Sequence, residues 1–278
     1  MINLLNFHGS FAILSLSMDK YAKYLNRQMA AIASEHAEII RHKNDISISD
    51  ILNRSDINRL LDKGNHDCEN GFRRLDDGSV YVAVCTDMPD VTVEMINWWF
   101  WWHAAEDIRY QIWYPDMHFA IQSDFQGHYN DDLMTYAERL QMSRHIVTEN
   151  IGVGREELLI DFMSPKDFGF DVNKINTSTE TIICARVGSP DRKVWATEIC
   201  HYVRTTERGV EMRSRFWIGY DIKMMTGLLR RPANWFLNQP LIKKSIIPKQ
   251  LPVKMFYHCS QEYHHLASIL PDLYKEES

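Results

Sequence analysis

The chain has 278 residues, 45% of them hydrophobic, with a formal charge of −6 and a pI near 6.1, which allows one large or two smaller globular domains with a sizeable core. Nucleic-acid binders carry a basic surplus, and the doublets Arg230-Arg231 and Lys243-Lys244 are too short to supply one, so no nucleic-acid partner is expected. No apolar run approaches the ~20 residues of a membrane span, and the five cysteines, Cys68, Cys85, Cys184, Cys200 and Cys259, form no C-x-x-C pair; a cytoplasmic protein without a membrane partner is the expectation.

Residues 11–14 are apolar, but no Lys or Arg precedes Lys20 and no small-residue cleavage site follows, so no signal peptide is expected and Met18 is an alternative start. From residue 18 to 41 the apolar positions Tyr21, Tyr24, Leu25, Met29, Ile32, Ile39 and Ile40 recur at helical spacing and predict one amphipathic helix. Residues 47–61 read as one or two short helices with Ser55 and Asp56 as caps and Gly64 as the stop. This helical segment has too little core to stand alone.

After Gly64 the texture changes. Residues 71–84 predict a hairpin turning at Asp76-Asp77-Gly78. Thr92 is placed to cap a helix carrying Trp98-Trp99-Phe100-Trp101-Trp102-His103. Tryptophans on every side of a helix cannot all be hidden by that helix, so the segment must lie inside something, as core or as a pocket wall.

Past Pro115, residues 117–125 predict a strand on which His118, Ala120, Gln122 and Asp124 share one face by the period of two. Residues 143–151 predict another, with Glu149 in parity with His145, Val147 and Ile151. Further strands are expected over 157–163, 179–187, 194–204 and 211–221, the last two joined across Arg208-Gly209. Pro232, Pro240, Pro248 and Pro252 predict a long irregular connection, and helical spacing returns from 253 to about 270. Consecutive antiparallel strands followed by a long terminal helix indicate an α+β layer in which the sheet curls around that helix.

His258 and Glu262, four apart on that last helix, share a face and can bind one ion, although such a pair is also a common hydrogen-bonded couple. His264 and His265 are turned away by ~100° per residue and read as surface or capping residues.

The string Trp98 to His103, Arg109-Tyr110, Trp113-Tyr114-Pro115-Asp116-Met117-His118, together with Arg213-Ser214-Arg215-Phe216-Trp217 and His258-Cys259 through Leu270-Pro271-Asp272-Leu273-Tyr274, resembles the 2,4-diacetylphloroglucinol hydrolase and phloretin hydrolase family. The resemblance runs from about Ile57 to the C-terminus. It implies a helix-grip fold of the START-like, birch-pollen-allergen-like kind, an antiparallel sheet curled around the long C-terminal helix, with residues 1–75 as a helical dimerisation region and 76–278 as the catalytic domain of a homodimer. It also implies two strand ligands, His118 and Glu149, completing a His₂Glu₂ set with His258 and Glu262. Imidazole with carboxylate suits Zn²⁺, while Mn²⁺ or Fe²⁺ are chemically tolerable.

The implied reaction severs an acyl group from a phloroglucinol ring by hydrolytic retro-Claisen cleavage, the substrate being a small acylated phenol. Tyr110, Asp124, His201 and Tyr220 are the candidate catalytic residues for moving protons and holding the phenols. Two other readings stand beside this one: a non-catalytic carrier of an apolar or aromatic ligand, which has no need of two carboxylates beside two histidines, and a metal-dependent ester hydrolase.

Overall fold

Eight stretches rich in β-branched and aromatic residues pair into one antiparallel sheet in the computed structural model, which describes residues 20–42, 46–125 and 127–278. They are β1 (Gly71–Arg74), β2 (Val80–Pro89), β3 (His118–Asp124), β4 (Arg144–Asn150), β5 (Arg155–Met163), β6 (Glu180–Ser189), β7 (Val194–Thr206) and β8 (Gly209–Met224). Their order is β1-β2-β8-β7-β6-β5-β4-β3, so each neighbour but one pair is sequential; short turns join β1–β2, β4–β5, β6–β7 and β7–β8, whereas longer connections carrying short helices join β3–β4 and β5–β6. The expected hairpin is β1–β2, and its Gly78 adopts φ +90°, where a Cβ would also meet the Lys244 backbone nitrogen at 2.9 Å.

The sheet curls around the C-terminal helix Leu251–Glu277. Phe256, Cys259, Tyr263, Leu266, Ile269, Leu270 and Leu273 recur at steps of three and four along it and are all buried, forming one stripe against the inward side chains of the strands. On β8 the alternation is clear: Met212, Phe216 and Ile218 join this core, whereas Trp217 joins a second cluster on the other face. The architecture is thus the expected helix grip. The helix runs past the predicted end at 270 and through Pro271. Packing of Leu273 and ion pairs from Glu276 to Lys23 and from Glu277 to Lys20 hold the last turns despite the hydrogen bond that a proline removes.

The sheet's outer face is covered by the segment before β1. Ile46, Ile51, Leu52, Ile57 and Leu60 pack on Tyr81, Ala83 and Trp217, and the Trp217 indole N–H donates to the Leu52 carbonyl at 2.9 Å. Two short 3₁₀ helices, Ile48–Asp50 and Arg54–Leu61, occupy the predicted range, with Ser47 and Asn53 at their N-caps instead of Ser55 and Asp56.

The single helix expected over 18–41 is broken. Residues 20–25 are helical, 28–33 are not, and a second helix spans Ser34–His42; Met18 lies outside the described residues. The cause is tertiary. The Ala30 N–H reaches His265 Nδ1 at 3.4 Å and its carbonyl accepts from Gln261, so groups that a continuous helix would use are held by the C-terminal helix. Tyr21 and Tyr24 are buried, their hydroxyls donating to Glu277 and Glu276 at 3.0 Å each; the apolar stripe therefore has an intrachain partner. His265, expected at the surface, is fully buried as part of the same contact.

The proline-rich connection also differs from expectation. It contains the helices Arg230–Leu237 and Pro240–Ile246. Pro240 sits at the first helical position and Pro232 within a first turn, where the missing N–H would have had no partner. Among the described residues no helix is long and apolar enough to cross a membrane, and all five cysteines are free thiols.

Candidate active site

Between sheet and C-terminal helix lies a cavity of about 380 Å³. One wall comes from the aromatic helix Val93–Trp102, whose Thr92 cap accepts from the Met95 N–H at 3.2 Å as expected. Trp98 and Trp102 stack at 5.0 Å and face the protein interior, while Phe100 and, just beyond the helix, His103 line the cavity. The tryptophans are thus chiefly the rigid backing, and the cavity is lined by their neighbours.

His118, His258 and Glu262 meet at the inner end, with one ligand atom from each lying within 4.8 Å of the others. Glu262 Oε2 is 3.4 Å from His118 Nε2 and 3.7 Å from His258 Nε2. All three residues are buried. The tautomer of His118 is fixed by its other nitrogen: Nδ1–H donates to the Tyr110 carbonyl at 3.3 Å, since a carbonyl can only accept. Its Nε2 therefore presents a lone pair, and that atom is buried with no hydrogen-bond partner. Burial pushes His118 and His258 down to about 4 and Glu262 up to about 8. Neutral imidazoles beside a carboxylate short of counter-charge are the donors a divalent cation needs, so the residues fit a metal ion.

Glu149 stands at the edge of this group. Its Oε2 is 3.7 Å from His118 Nε2 and accepts from the Tyr110 hydroxyl at 2.5 Å. The Tyr110 ring lies flat on the His118 imidazole at 4.1 Å between centroids. Burial and the adjacent Glu149 charge keep the phenol proton on Tyr110, far above its ordinary range.

His201 is buried in the wall, its Nδ1 2.8 Å from Ser214 Oγ, and burial lowers it to about 4. Asp124 and Tyr220 are not brought in. A β-bulge between His118 and Ala120 shifts the register, so His118 faces inward with Ile121 and Ser123, while Gln122 and Asp124 are exposed on the opposite face. On β8, Gly219 at φ +70° introduces a similar irregularity, and Tyr220 is 49% exposed outside the cavity.

His145 was not singled out from the sequence, yet it lines the cavity and is buried. The signal was its parity with Glu149 on β4. Ser143 Oγ spends its proton on the Leu140 carbonyl at 2.7 Å, so the 3.2 Å contact between Ser143 Oγ and His145 Nε2 has the imidazole as donor. Nδ1 is left as an acceptor. His103 is fixed the opposite way, Nδ1–H donating to the Trp99 carbonyl at 2.7 Å.

Comparison with known proteins bears on this geometry. The phloretin hydrolase of Eubacterium ramulus is 32% identical over 262 residues, covering 92% of this chain and 90% of that protein. A 2,4-diacetylphloroglucinol hydrolase from a Pseudomonas species is 28% identical over 263 residues, covering 92% and 87%, and that of Pseudomonas protegens is 28% identical, covering 92% and 84%. The solved norcoclaurine synthase of Thalictrum flavum overlaps 82% of this chain and 96% of its own at 9% identity with a TM-score of 0.33, too loosely to bear on function. The DAPG hydrolase PhiG domain matches residues 52–275, spanning all the groups that meet at the cavity, and the chain belongs to the DAPG hydrolase family.

Proposed function

We propose that the chain is a zinc-dependent hydrolase that cleaves the carbon–carbon bond between an acyl group and a phloroglucinol ring, yielding the deacylated phenol and a carboxylic acid. The observation that carries this reading is the meeting, in one aromatic-walled cavity, of the His118, His258 and Glu262 donor group with the Tyr110–Glu149 couple. His118, His258 and Glu262 would hold the ion, with Glu149 as the fourth ligand. When bound, the ion supplies Lewis acidity toward the acyl carbonyl and a source of nucleophilic water near neutral pH.

The chain's own groups supply the rest. A phloroglucinol can take a proton at the acylated ring carbon by shifting to its keto form, which makes the substrate a β-diketone. Water then adds to the acyl carbonyl, the ring–acyl bond breaks, and its electron pair returns to the ring as an enolate that recovers the phenol. Tyr110 holds a proton at its hydroxyl beside the donor group and Glu149 accepts from it, so this couple is the proton-transfer unit. His201 and His145 line the cavity and would orient the hydroxyls of the ring. Phe100, Trp113 and Phe216 enclose the ring and exclude water.

A carrier function is disfavoured by the cost of burying two imidazoles and a carboxylate at a site that holds only an apolar ligand. Homodimer assembly, the division of roles at residues 75/76 and a cytoplasmic location belong to the same reading; light scattering at micromolar concentration tests the first. For the activity itself, purified protein is analysed for metals and assayed on phloretin and diacetylphloroglucinol. The reading expects about one zinc per chain and cleavage of at least one of the two; fully active metal-free protein, or hydrolysis of aryl esters with neither ketone cleaved, contradicts it.

A further inference from the structure

The segment after β8 carries a feature that the active site does not use. Leu228, Leu229, Trp235, Phe236 and Leu241 are all more than half exposed, at 104%, 75%, 69%, 53% and 81%, within one short stretch of chain. They sit on or beside the helices Arg230–Leu237 and Pro240–Ile246, the first of which has no buried residue. Single exposed apolar residues are ordinary, but a run of them that includes tryptophan and phenylalanine marks a contact surface.

Charge says what kind of surface. Between Asp221 and Glu262 the sequence has no acidic residue, in a chain whose formal charge is −6. Lys223 and Lys243 are spent on Asp221 and Asp77. Arg230, Arg231, Lys244 and Lys249 are exposed, and none forms an ion pair with a described residue. Aromatic and leucine side chains rimmed by unneutralised Arg and Lys suit the boundary between headgroups and acyl chains of an anionic bilayer. A second copy of the chain suits it less well: a two-fold contact would set this basic surface against itself.

Position adds a purpose. Ile246, half exposed at 49%, lines the cavity together with Ile247, Pro248 and Leu251, so the second helix ends at the cavity mouth. We propose that the two helices after β8 form a docking surface for an anionic lipid bilayer, setting the cavity mouth against the membrane. No spanning helix is needed for such a contact. An apolar phenolic ketone dissolved in the bilayer would then reach the cavity without crossing water.

Full-length protein is sedimented with vesicles of phosphatidylcholine alone and with vesicles containing phosphatidylglycerol, at low and at roughly 0.5 M salt. The proposal expects partition onto the anionic vesicles about ten-fold above the neutral ones, lost at the higher salt. Trp235→Ala with Leu241→Ala lowers partition by roughly ten-fold or more, the order expected for two large apolar side chains, and Arg230→Glu with Arg231→Glu removes the preference for anionic lipid. Circular dichroism and turnover in solution stay at wild-type values, because these exposed residues touch neither core nor cavity. Absence of wild-type protein from every vesicle pellet overturns the proposal. So does a wild-type dimer that Trp235→Ala with Leu241→Ala converts to monomer without altering vesicle binding, which would give the surface to a second copy.

Discussion

His118 and Asp124 lie six positions apart on what reads as one strand face, yet a bulge puts one in the cavity and the other in solvent. An alternation argument counts residues, and one extra residue in a strand reverses every side chain beyond it. Tyr220 is displaced by the irregularity at Gly219 in the same manner. The helix pair His258 and Glu262 has no such weakness, because the α-helical period over four residues leaves little room for error; spacing alone puts the two on one face, and the family resemblance makes them ligands. Two predictions belong to these residues. His258→Ala removes a donor atom and should abolish tight metal binding, lowering kcat/KM on the order of 10³-fold, as elemental analysis and kinetics on one preparation would show. Tyr110→Phe keeps every proposed ligand atom, so metal content should be unchanged while kcat falls on the order of 10²-fold through the lost proton; loss of the metal in this variant would instead make Tyr110 a support for Glu149.

At the scale of elements, the strands and the C-terminal helix were readable because each buries one face, and burial writes a period into the sequence. What joins them was not readable. The outer face of β8 carries Arg213 and Arg215, both fully buried, and both are neutralised by Glu69 from the loop before β1, at 2.5 Å each. Nothing in local sequence announces a pair 144 and 146 positions apart. Burial alone would raise the Glu69 carboxyl, but the hydrogen bond from Arg213 and the charges of both guanidiniums outweigh it and hold it at about 2. Glu69→Ala leaves two buried cations without a partner and should cost roughly 3–5 kcal/mol of stability in denaturant titrations. A loss below ~1 kcal/mol would mean that water reaches the arginines once the carboxylate is gone.

For the whole molecule, the acid limb of stability follows from groups buried in their unfavoured protonation states. Burial lowers His103 to about 3 and His201 to about 4. The unfolded chain, with imidazoles near 6.5, takes up these protons first, so the stabilisation is complete above pH 6.5 and is lost as pH falls towards 4. Glu69, depressed in the fold, contributes above about pH 4.5 and loses its contribution as pH falls towards 2. Melting temperature should therefore decline from pH 6.5 downwards, less steeply in His201→Gln; a flat profile to pH 4 would show that water hydrates these imidazoles in the native state. Strands followed by a long terminal helix already suggest a sheet curled around that helix, the family likeness names this as the helix grip, and the cavity gives that grip its chemistry. The most direct test of that chemistry is product analysis after turnover of phloretin or diacetylphloroglucinol in oxygen-18 water. Attack of water on the acyl carbonyl predicts one labelled oxygen in the released carboxylic acid and none introduced into the phloroglucinol by bond cleavage. Label introduced at the ring carbon that lost the acyl group, or no cleavage of either ketone by zinc-loaded protein, would contradict the account.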